Sequence, residues 1–246
     1  MAIKRRSARA TAKAPVRVYG TPRRLAGLVS APRDPHGVEV DVRGVAVESV
    51  SIRPLGDPEA PDRAWLRLAL PALTRPGEYR GTIRLDGREE EVVLNVEPRL
   101  RLHLSPRRLI LRGQAGERMA ATVHATNLGN ADCVIRDVHA FGLFDVEGAE
   151  RAIGRTFRSG GAKGGRMLDR LVEELAEGHG GLAKVSVDAG AGDLGPGEAR
   201  ELALTIHLPD ALRAGRVYEG AWTLSNVNYM IRVEALDGTS NEEELT

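Results

Sequence analysis

The sequence predicts an all-β protein built from two tandem antiparallel β-sandwiches, the second of which carries an insertion. Three observations lead to this prediction: apolar and polar residues alternate over many short segments, one distinctive phrase occurs twice, and one stretch breaks the alternation. The chain has 246 residues, and a common single domain has roughly 100–150. Two domains are therefore expected.

Strand-like alternation is clear in the first half of the chain. Leu66, Leu68 and Leu70 occupy every second position, and residues two apart share one face of a β-strand. Asp86-Gly87 suits the positive φ angles of a type I′ turn, so it predicts a β-hairpin. Several such segments in about 80 residues favour a sandwich over a barrel.

The phrase that occurs twice is "RPGEYRG" at 75–81 and "RAGRVYEG" at 213–220. The repeated positions are Gly77, Tyr79 and Gly81 in the first copy and Gly215, Tyr218 and Gly220 in the second. A tyrosine just after such a turn can bond through its hydroxyl to backbone a few residues upstream, in the arrangement called a tyrosine corner. The repetition predicts a duplicated domain in which all six residues have structural roles.

The two copies differ in length. The span from Pro22 to Pro76 is 54 residues, whereas the matching span from Pro106 to Ala214 is 108 residues. The second copy is therefore expected to hold an insertion of roughly 54 residues. The predicted organisation is a basic arm at 1–14, sandwiches at 15–98 and 99–236, an insertion at about 141–195 with a helix at about 165–177, and an acidic tail at 237–246.

The motifs resemble the bacterial immunoglobulin-like β-sandwich family. Members of that family show a "PGxYxGxIxL" strand and an earlier "xNxGN" turn, which stand here as "PGEYRGTIRL" and "ATNLGNADCVI". The first copy lacks the second motif, and the resemblance covers about three quarters of the chain. It implies tandem immunoglobulin-like domains that present, space or bind other molecules, and it supplies no catalytic residue.

The insertion allows two interpretations. Met167 and Leu171 belong to an apolar helix face at 165–177, which predicts docking on a sandwich or on a partner protein. The alternative is an anion or phosphate site in front of that helix. Its residues would be Gly160, Gly161, Gly164 and Gly165 with Arg155, Arg158, Lys163 and Arg166. The stretch has no P-loop ending, so a docking helix is the favoured interpretation.

Signals for catalysis are weak. The six histidines form no metal-binding pair, and the least implausible pairing joins His124 with Cys133 across a hairpin. No nucleophile elbow or dinucleotide motif occurs, so neither an enzyme nor a cofactor is expected. Trp65 and Trp222 are expected in the core, which disfavours stacking on sugars or nucleotides. The single cysteine and the lack of an apolar segment of about 18 residues predict a cytoplasmic protein.

The first 14 residues form the clearest charged segment. They hold five cations and no acid, although the net charge of the chain is only +1. The cations are Lys4, Arg5, Arg6, Arg9 and Lys13. Such an arm can contact anionic lipid, a protein or, less expectedly here, nucleic acid.

The functional hypothesis is a non-catalytic accessory subunit that connects components of a larger assembly. An extrinsic subunit on the cytoplasmic face of a respiratory or photosynthetic membrane complex fits the arm and the helix, with protein subunits as partners and an anionic membrane surface touched by the arm. One alternative is a polyanion-binding module that uses the arm and the cations of the insertion. A second alternative is a phosphate-handling enzyme that uses the glycine-rich insertion.

Overall fold

The computed structural model describes residues 14–35, 37–158, 165–225 and 227–237. The chain divides into two compact units, unit 1 (residues 1–99) and unit 2 (residues 100–246). Several predictions lie outside the described residues: the basic arm with Lys4, Arg5, Arg6, Arg9 and Lys13, the glycine-rich stretch with Lys163, and almost all of the acidic tail.

Unit 1 consists of seven strands. They are β1 (Val16–Thr21), β2 (Arg24–Ser30), β3 (Glu39–Val42), β4 (Ser49–Pro54), β5 (Arg63–Ala69), β6 (Gly77–Leu85) and β7 (Arg88–Val96). β1 pairs with β2 in antiparallel and with β7 in parallel, so it joins two layers. One layer has the order β1-β2-β5-β4 and the other β3-β6-β7. This is the ABED and CFG arrangement of a constant-type immunoglobulin sandwich.

The core of unit 1 lies between these layers. Leu25 and Leu66 from one layer and Ile83 and Leu94 from the other are fully buried in a single cluster. Burial alternates along β5 as the sequence predicts, with Leu66 buried and its neighbours exposed. The core prediction is wrong for Trp65, which lies on the outer face of β5 and is 39% exposed.

The predicted hairpin between β6 and β7 is present. Asp86 and Gly87 have φ angles of 49° and 74°, the left-handed conformation that a type I′ turn requires at both central positions. The Asp86 carboxylate also accepts a hydrogen bond from the Arg33 amide, at 2.9 Å. This bond ties the turn to the segment after β2.

Unit 2 contains ten strands and two helices among its described residues. The strands are β8 (Leu102–Ser105), β9 (Arg108–Gly113), β10 (Arg118–Asn127), β11 (Cys133–Ile135), β12 (Val138–Asp145), β13 (His179–Ala189), β14 (Gly192–Leu194), β15 (Ala199–His207), β16 (Val217–Leu224) and β17 (Val227–Ala235). The helices are α1 (Gly148–Arg158) and α2 (Gly165–Ala176).

The order within each layer repeats that of unit 1, with β10-β15-β13 matching β2-β5-β4 and β12-β16-β17 matching β3-β6-β7, but the layers are joined through β12 and β13. The main sheet runs β8-β10-β15-β13-β12-β16-β17-β9, and β11 and β14 form a separate ribbon. β9 pairs with β17 in parallel, as β1 does with β7, and β13 pairs with both β12 and β15. Trp222, Tyr218 and Leu204 are among the core residues. The prediction of an all-β fold with two tandem immunoglobulin-like sandwiches is confirmed.

The "NLGN" turn of unit 2 is organised by one buried amide. Asn127 donates to the carbonyls of Ala131 and Leu194, at 2.8 and 2.9 Å, and its side-chain oxygen accepts from the Gly129 amide at 2.9 Å. These three bonds satisfy a fully buried polar group. They also hold the turn against the β14 ribbon.

The insertion differs from its prediction in content and extent. Two helices leave the sheet between β12 and β13, where the sequence predicts one helix. The helical excursion occupies 146–178, because the outer parts of the predicted 141–195 range belong to β12, β13 and β14. α1 escapes prediction because Gly154 and Thr156 are poor helix formers and glycines follow soon after.

Candidate functional site

Both copies of the repeated phrase form a tyrosine corner. The Tyr79 hydroxyl donates to the Arg75 carbonyl at 2.8 Å, and the Tyr218 hydroxyl accepts from the Arg213 amide at 3.0 Å. The two turns contain Gly77 and Gly215, which adopt positive φ angles of 152° and 71°. These bonds fix the loop that precedes β6 in unit 1 and the loop that precedes β16 in unit 2.

The last glycine of each phrase allows close contact with a neighbouring strand. A Cβ added at Gly81 would lie 2.0 Å from the carbonyl oxygen of Asp41, on β3. A Cβ added at Gly220 would lie 2.4 Å from the carbonyl oxygen of Gly142, on β12. These glycines are therefore packing requirements of the sandwich.

The two helices form a protruding antiparallel pair, called the helical hairpin here. A Cβ added at Gly148, where α1 begins, would lie 3.3 Å from the Cα of Gly178, just beyond the end of α2. The Asp145 amide donates to the Gly178 carbonyl at 2.8 Å, which closes the base of the hairpin. The helices pack mainly on each other, and α1 also contacts β12.

A buried carboxylate anchors this base. The Asp145 side chain is fully buried and forms ion pairs with Arg151 of α1 and with Arg216, whose Nη1 lies 3.1 Å from Oδ2. Oδ1 also accepts from the Glu147 amide at 3.0 Å, at the entry to α1. One carboxylate thus connects β12, α1 and the loop before β16, which orients the hairpin on the sandwich.

A second, more exposed ion network lies along one side of the hairpin. Arg155 contacts Glu174 and Glu177, each at 3.1 Å, and Glu177 contacts Arg213 at 3.2 Å. The hydrogen bond to Glu174 is the main cause of a raised Arg155 pKa. The hydrogen bond from Arg213 is the main cause of a lowered Glu177 pKa.

These contacts bear on the predicted anion site. Arg155 binds acidic side chains, and the Arg158 guanidinium donates to the Gly154 carbonyl at 3.1 Å. Arg166 is exposed beside a hollow that it shares with four acidic residues and Arg170. The acidic residues are Asp169, Glu173, Glu174 and Glu177. Arg155 and Arg158 therefore bond to groups of the hairpin itself and are not turned toward an anion site. Lys163 lies outside the described residues.

The helix sides that face each other can be read from burial. Gly148, Ala152 and Thr156 are buried on α1. On α2, Met167, Leu171 and Glu174 are half-buried at helical spacing. Since Glu174 bonds to Arg155 of α1, this side of α2 faces α1. Met167 and Leu171, predicted to bind a partner, thus contribute largely to packing within the hairpin.

A large apolar surface stands next to this seam, called the apolar face here. It comprises Ile153 and Phe157 of α1 with Leu168, Val172 and Leu175 of α2, which are 48%, 65%, 65%, 65% and 44% exposed. On both helices, each of these exposed residues comes one position after a residue that faces the other helix. Because the helices are antiparallel, a one-residue step turns both sets toward the same side of the hairpin. The hairpin thus has one apolar side and one charged side.

The remaining chemical candidates are not assembled into a site. Cys133 is buried, and burial raises the pKa of its thiol, whereas His124 is exposed on β10 within 3.8 Å of Glu201. His139 packs edge-on against Trp222, and burial lowers its pKa. Across the described ranges, no group of three His, Cys, Asp or Glu side chains is placed to hold a metal ion. No helix in the same ranges is long and apolar enough to cross a membrane.

No sequence prediction includes Ile153 or Phe157. Their spacing of four residues, one position after Ala152 and Thr156, is the signal that could have found them. The basic, glycine-rich sequence at 154–166 is instead typical of a flexible linker. Two of the five residues of the apolar face therefore become visible only in the structure.

No protein-family model matches the chain, and no curated protein matches it. Among solved structures, a three-domain immunoglobulin segment of titin is 9% identical, with a TM-score of 0.36, and the alignment covers 92% of this chain and 64% of that one. The adhesin InvE of Yersinia pseudotuberculosis is 11% identical with a TM-score of 0.27, covering 89% and 57%. Two domains of the S-layer protein SbsC are 13% identical with a TM-score of 0.28, covering 66% of each chain. Because all three TM-scores are below 0.5, the strand order of the chain itself defines its fold.

Proposed function

We propose that the protein is a non-catalytic interaction module that docks on a protein partner through the apolar face of its helical hairpin. One observation carries this proposal: five large apolar side chains are exposed on a single side of two packed helices. Contiguous exposed apolar surface on a soluble domain is typical of a binding site. Helical grooves and helix pairs on partner proteins are suited to such a surface.

The construction of the hairpin supports docking. Its seam is filled by small residues of α1 against Met167 and Leu171, and its base is fixed by Asp145. The apolar residues are therefore presented by ordered helices, so little conformational entropy is lost when a partner covers them. Covering apolar surface is favourable by about 25 cal/mol per Å².

The finer part of the proposal concerns the partner. We propose that it is a protein subunit of a larger assembly, with a membrane-embedded complex approached from its cytoplasmic face as the example that best suits a chain with both a cationic arm and an apolar hairpin. The five cations of the arm would contact acidic protein or anionic lipid near that subunit.

The test is isolation of the chain in mild detergent from the cells that make it, followed by size-exclusion chromatography and mass spectrometry. The hairpin variant combines Leu168→Ser with Val172→Ser. The control variant combines Ile110→Ser with Val138→Ser, which are 55% and 67% exposed on strands of the same unit. The wild type and the control should co-elute with the same protein partners, and the hairpin variant should elute as the free chain.

Two outcomes would overturn the proposal. One is a wild-type chain that elutes free of other proteins. The other is a hairpin variant that retains every partner of the wild type. Circular dichroism of each variant should match the wild type, because the substituted side chains are exposed.

A further inference from the structure

Unit 1 carries a cluster of arginines on the outer side of the layer β1-β2-β5-β4, called the arginine face here. Every second residue of these strands points outward. The exposed arginines of the arginine face are Arg17, Arg24, Arg53, Arg63 and Arg67. None of them belongs to the hairpin of unit 2 or to the cationic segments that the sequence singles out.

Strand register brings the central members of this cluster together around Trp65. Trp65 lies opposite Arg53 on β4 and opposite Leu28 on β2. Arg63 and Arg67 flank it on its own strand, and residues two apart on a strand are about 7 Å from each other. Arginine positions thus adjoin Trp65 on its own strand in both directions and on β4.

The arginine face has little internal neutralisation. Among the described residues, no carboxylate forms an ion pair with Arg24, Arg53 or Arg67. Two acids lie at its margins: Glu48 pairs with Arg23 at 3.1 Å, and Glu90 lines a hollow with Arg17 and Arg63. Like charges on neighbouring strands repel one another, so binding of an anionic ligand would reduce the electrostatic repulsion between these arginines.

A hollow on the arginine face provides room for such a ligand. It has a volume of about 660 Å³, and its polar lining is two arginines and two serines from the adjacent strands β2, β5 and β4 with one arginine from the turn before β2. The residues are Arg23, Arg24, Arg67, Ser49 and Ser51. Guanidinium groups and hydroxyls are the side-chain groups that most often contact phosphate.

Two exposed aromatic rings lie among these cations. Trp65 is 39% exposed, and Tyr19, which lies opposite Ala26 in the row of Arg67, is 49% exposed. Bases of unpaired nucleic acid stack on such rings while cations contact the phosphates on either side. Arg guanidinium planes can also stack on bases.

We propose that the arginine face binds single-stranded nucleic acid, with Trp65 stacking on a base and Arg24, Arg53 and Arg67 contacting phosphates. The alternation of cation and ring positions on neighbouring strands favours this ligand over a lipid surface, because phosphates and bases alternate along a single nucleic-acid strand. An acidic peptide would satisfy the charges but has no base for Trp65. The site is on a different unit from the hairpin, so it is independent of the proposed docking function.

The test measures binding of the full chain to a fluorescein-labelled oligouridine of about 12 nucleotides by anisotropy. Salt is varied from about 50 to about 200 mM. The first variant combines Arg53→Gln with Arg67→Gln, and the second is Trp65→Leu. The control combines Arg107→Gln with Arg118→Gln, which removes the same charge from exposed positions of unit 2.

The double arginine variant should bind at least about tenfold more weakly, and its plot of log affinity against log salt should be less steep by about 1.4, because two phosphate contacts are lost. Trp65→Leu should weaken binding by roughly tenfold while leaving the salt slope unchanged. The oligonucleotide should also quench the fluorescence of the exposed Trp65, and Trp65→Leu should abolish that quenching. The control variant should bind like the wild type.

Three results would overturn the proposal. The first is no binding of the oligonucleotide at the lowest salt. The second is equal binding by the control and the arginine-face variants, which would assign any affinity to the cationic arm. The third is unchanged oligonucleotide binding in a double arginine variant that loses affinity for phosphatidylserine vesicles, which would assign the face to lipid.

Discussion

Gly220 lies so close to Gly142 that a Cβ on Gly220 would stand 2.4 Å from the carbonyl oxygen of Gly142. The ring of Phe141 closes the same space at 2.7 Å. Both neighbours belong to β12, whose end carries the helical hairpin. Contact between β16 and β12 therefore sets the position of the proposed docking element.

Gly220→Ala should destabilise unit 2 by about 1–3 kcal/mol, because backbone and a packed ring cannot move aside without cost. Urea denaturation followed by circular dichroism measures this change. Gly154→Ala is the matched control, since its new methyl group would meet only the flexible end of Arg158. That substitution should stabilise α1 by about 0.5–1 kcal/mol, and a loss of stability comparable to that of Gly220→Ala would contradict this account.

Removal of the buried carboxylate should loosen the hairpin more than the sandwich. Asp145→Ala leaves Arg151 and Arg216 without their shared partner and should cost about 3 kcal/mol. Hydrogen exchange of α1 and α2 should accelerate, while exchange in β10 and β15 remains slow. Glu147→Gln is the control: this carboxylate also pairs with Arg151, at 3.3 Å, but is 70% exposed, so its loss should change stability by less than about 1 kcal/mol.

The two tyrosine corners should differ in energetic weight. Tyr218 is buried and its hydroxyl accepts from a backbone amide, whereas the bond from Tyr79 is exposed to water. Tyr218→Phe should therefore destabilise by about 1–2 kcal/mol, and Tyr79→Phe by about 0.5 kcal/mol. Thermal unfolding of the two variants measures which one loses more stability. A larger loss for Tyr79→Phe would show that burial of the hydroxyl does not determine the strength of the corner.

Acid should release the end of α2 from the sandwich. The Glu177 pKa is lowered below its ordinary value of 4.5, mainly by the hydrogen bond from Arg213 and next by the positive charge of Arg213. A carboxyl group with a depressed folded pKa contributes stability above its unfolded pKa, and the contribution disappears as the pH falls through the folded pKa. Carbon-detected NMR titration of the Glu177 carboxyl should show a higher pKa in Arg213→Gln. An identical titration in that variant would refute the contact.

The repeated phrase was sufficient to predict the tyrosine corners, because its turn, tyrosine and glycine are local in sequence. The position of Trp65 could not be predicted in the same way, because local sequence does not determine which face of β5 is buried. Trp65 and Leu66 are both apolar, and only one of two adjacent strand residues can face the core. The flanking Arg63 and Arg67 share the face of Trp65 and indicate that this face is exposed, but a ring alone suggests burial.

The faces proposed as binding sites depend on contacts between distant segments. Arg24, Arg53 and Arg67 come from three strands, and their proximity follows from a register that one sequence does not reveal. The apolar face likewise requires that α1 and α2 be antiparallel. Residues that must be folded together before they form a surface leave no local motif.

The closed base of the helical hairpin has a consequence for variation. Because Asp145 and Gly178 are hydrogen-bonded neighbours, the chain leaves the sheet and returns to it at almost the same point. The whole segment 146–178 could be excised and replaced by a tight turn, with β12 and β13 still adjacent. Hairpins of different length and chemistry can therefore replace one another on the same sandwich. The choice of partner can change in this way without substitutions in the core.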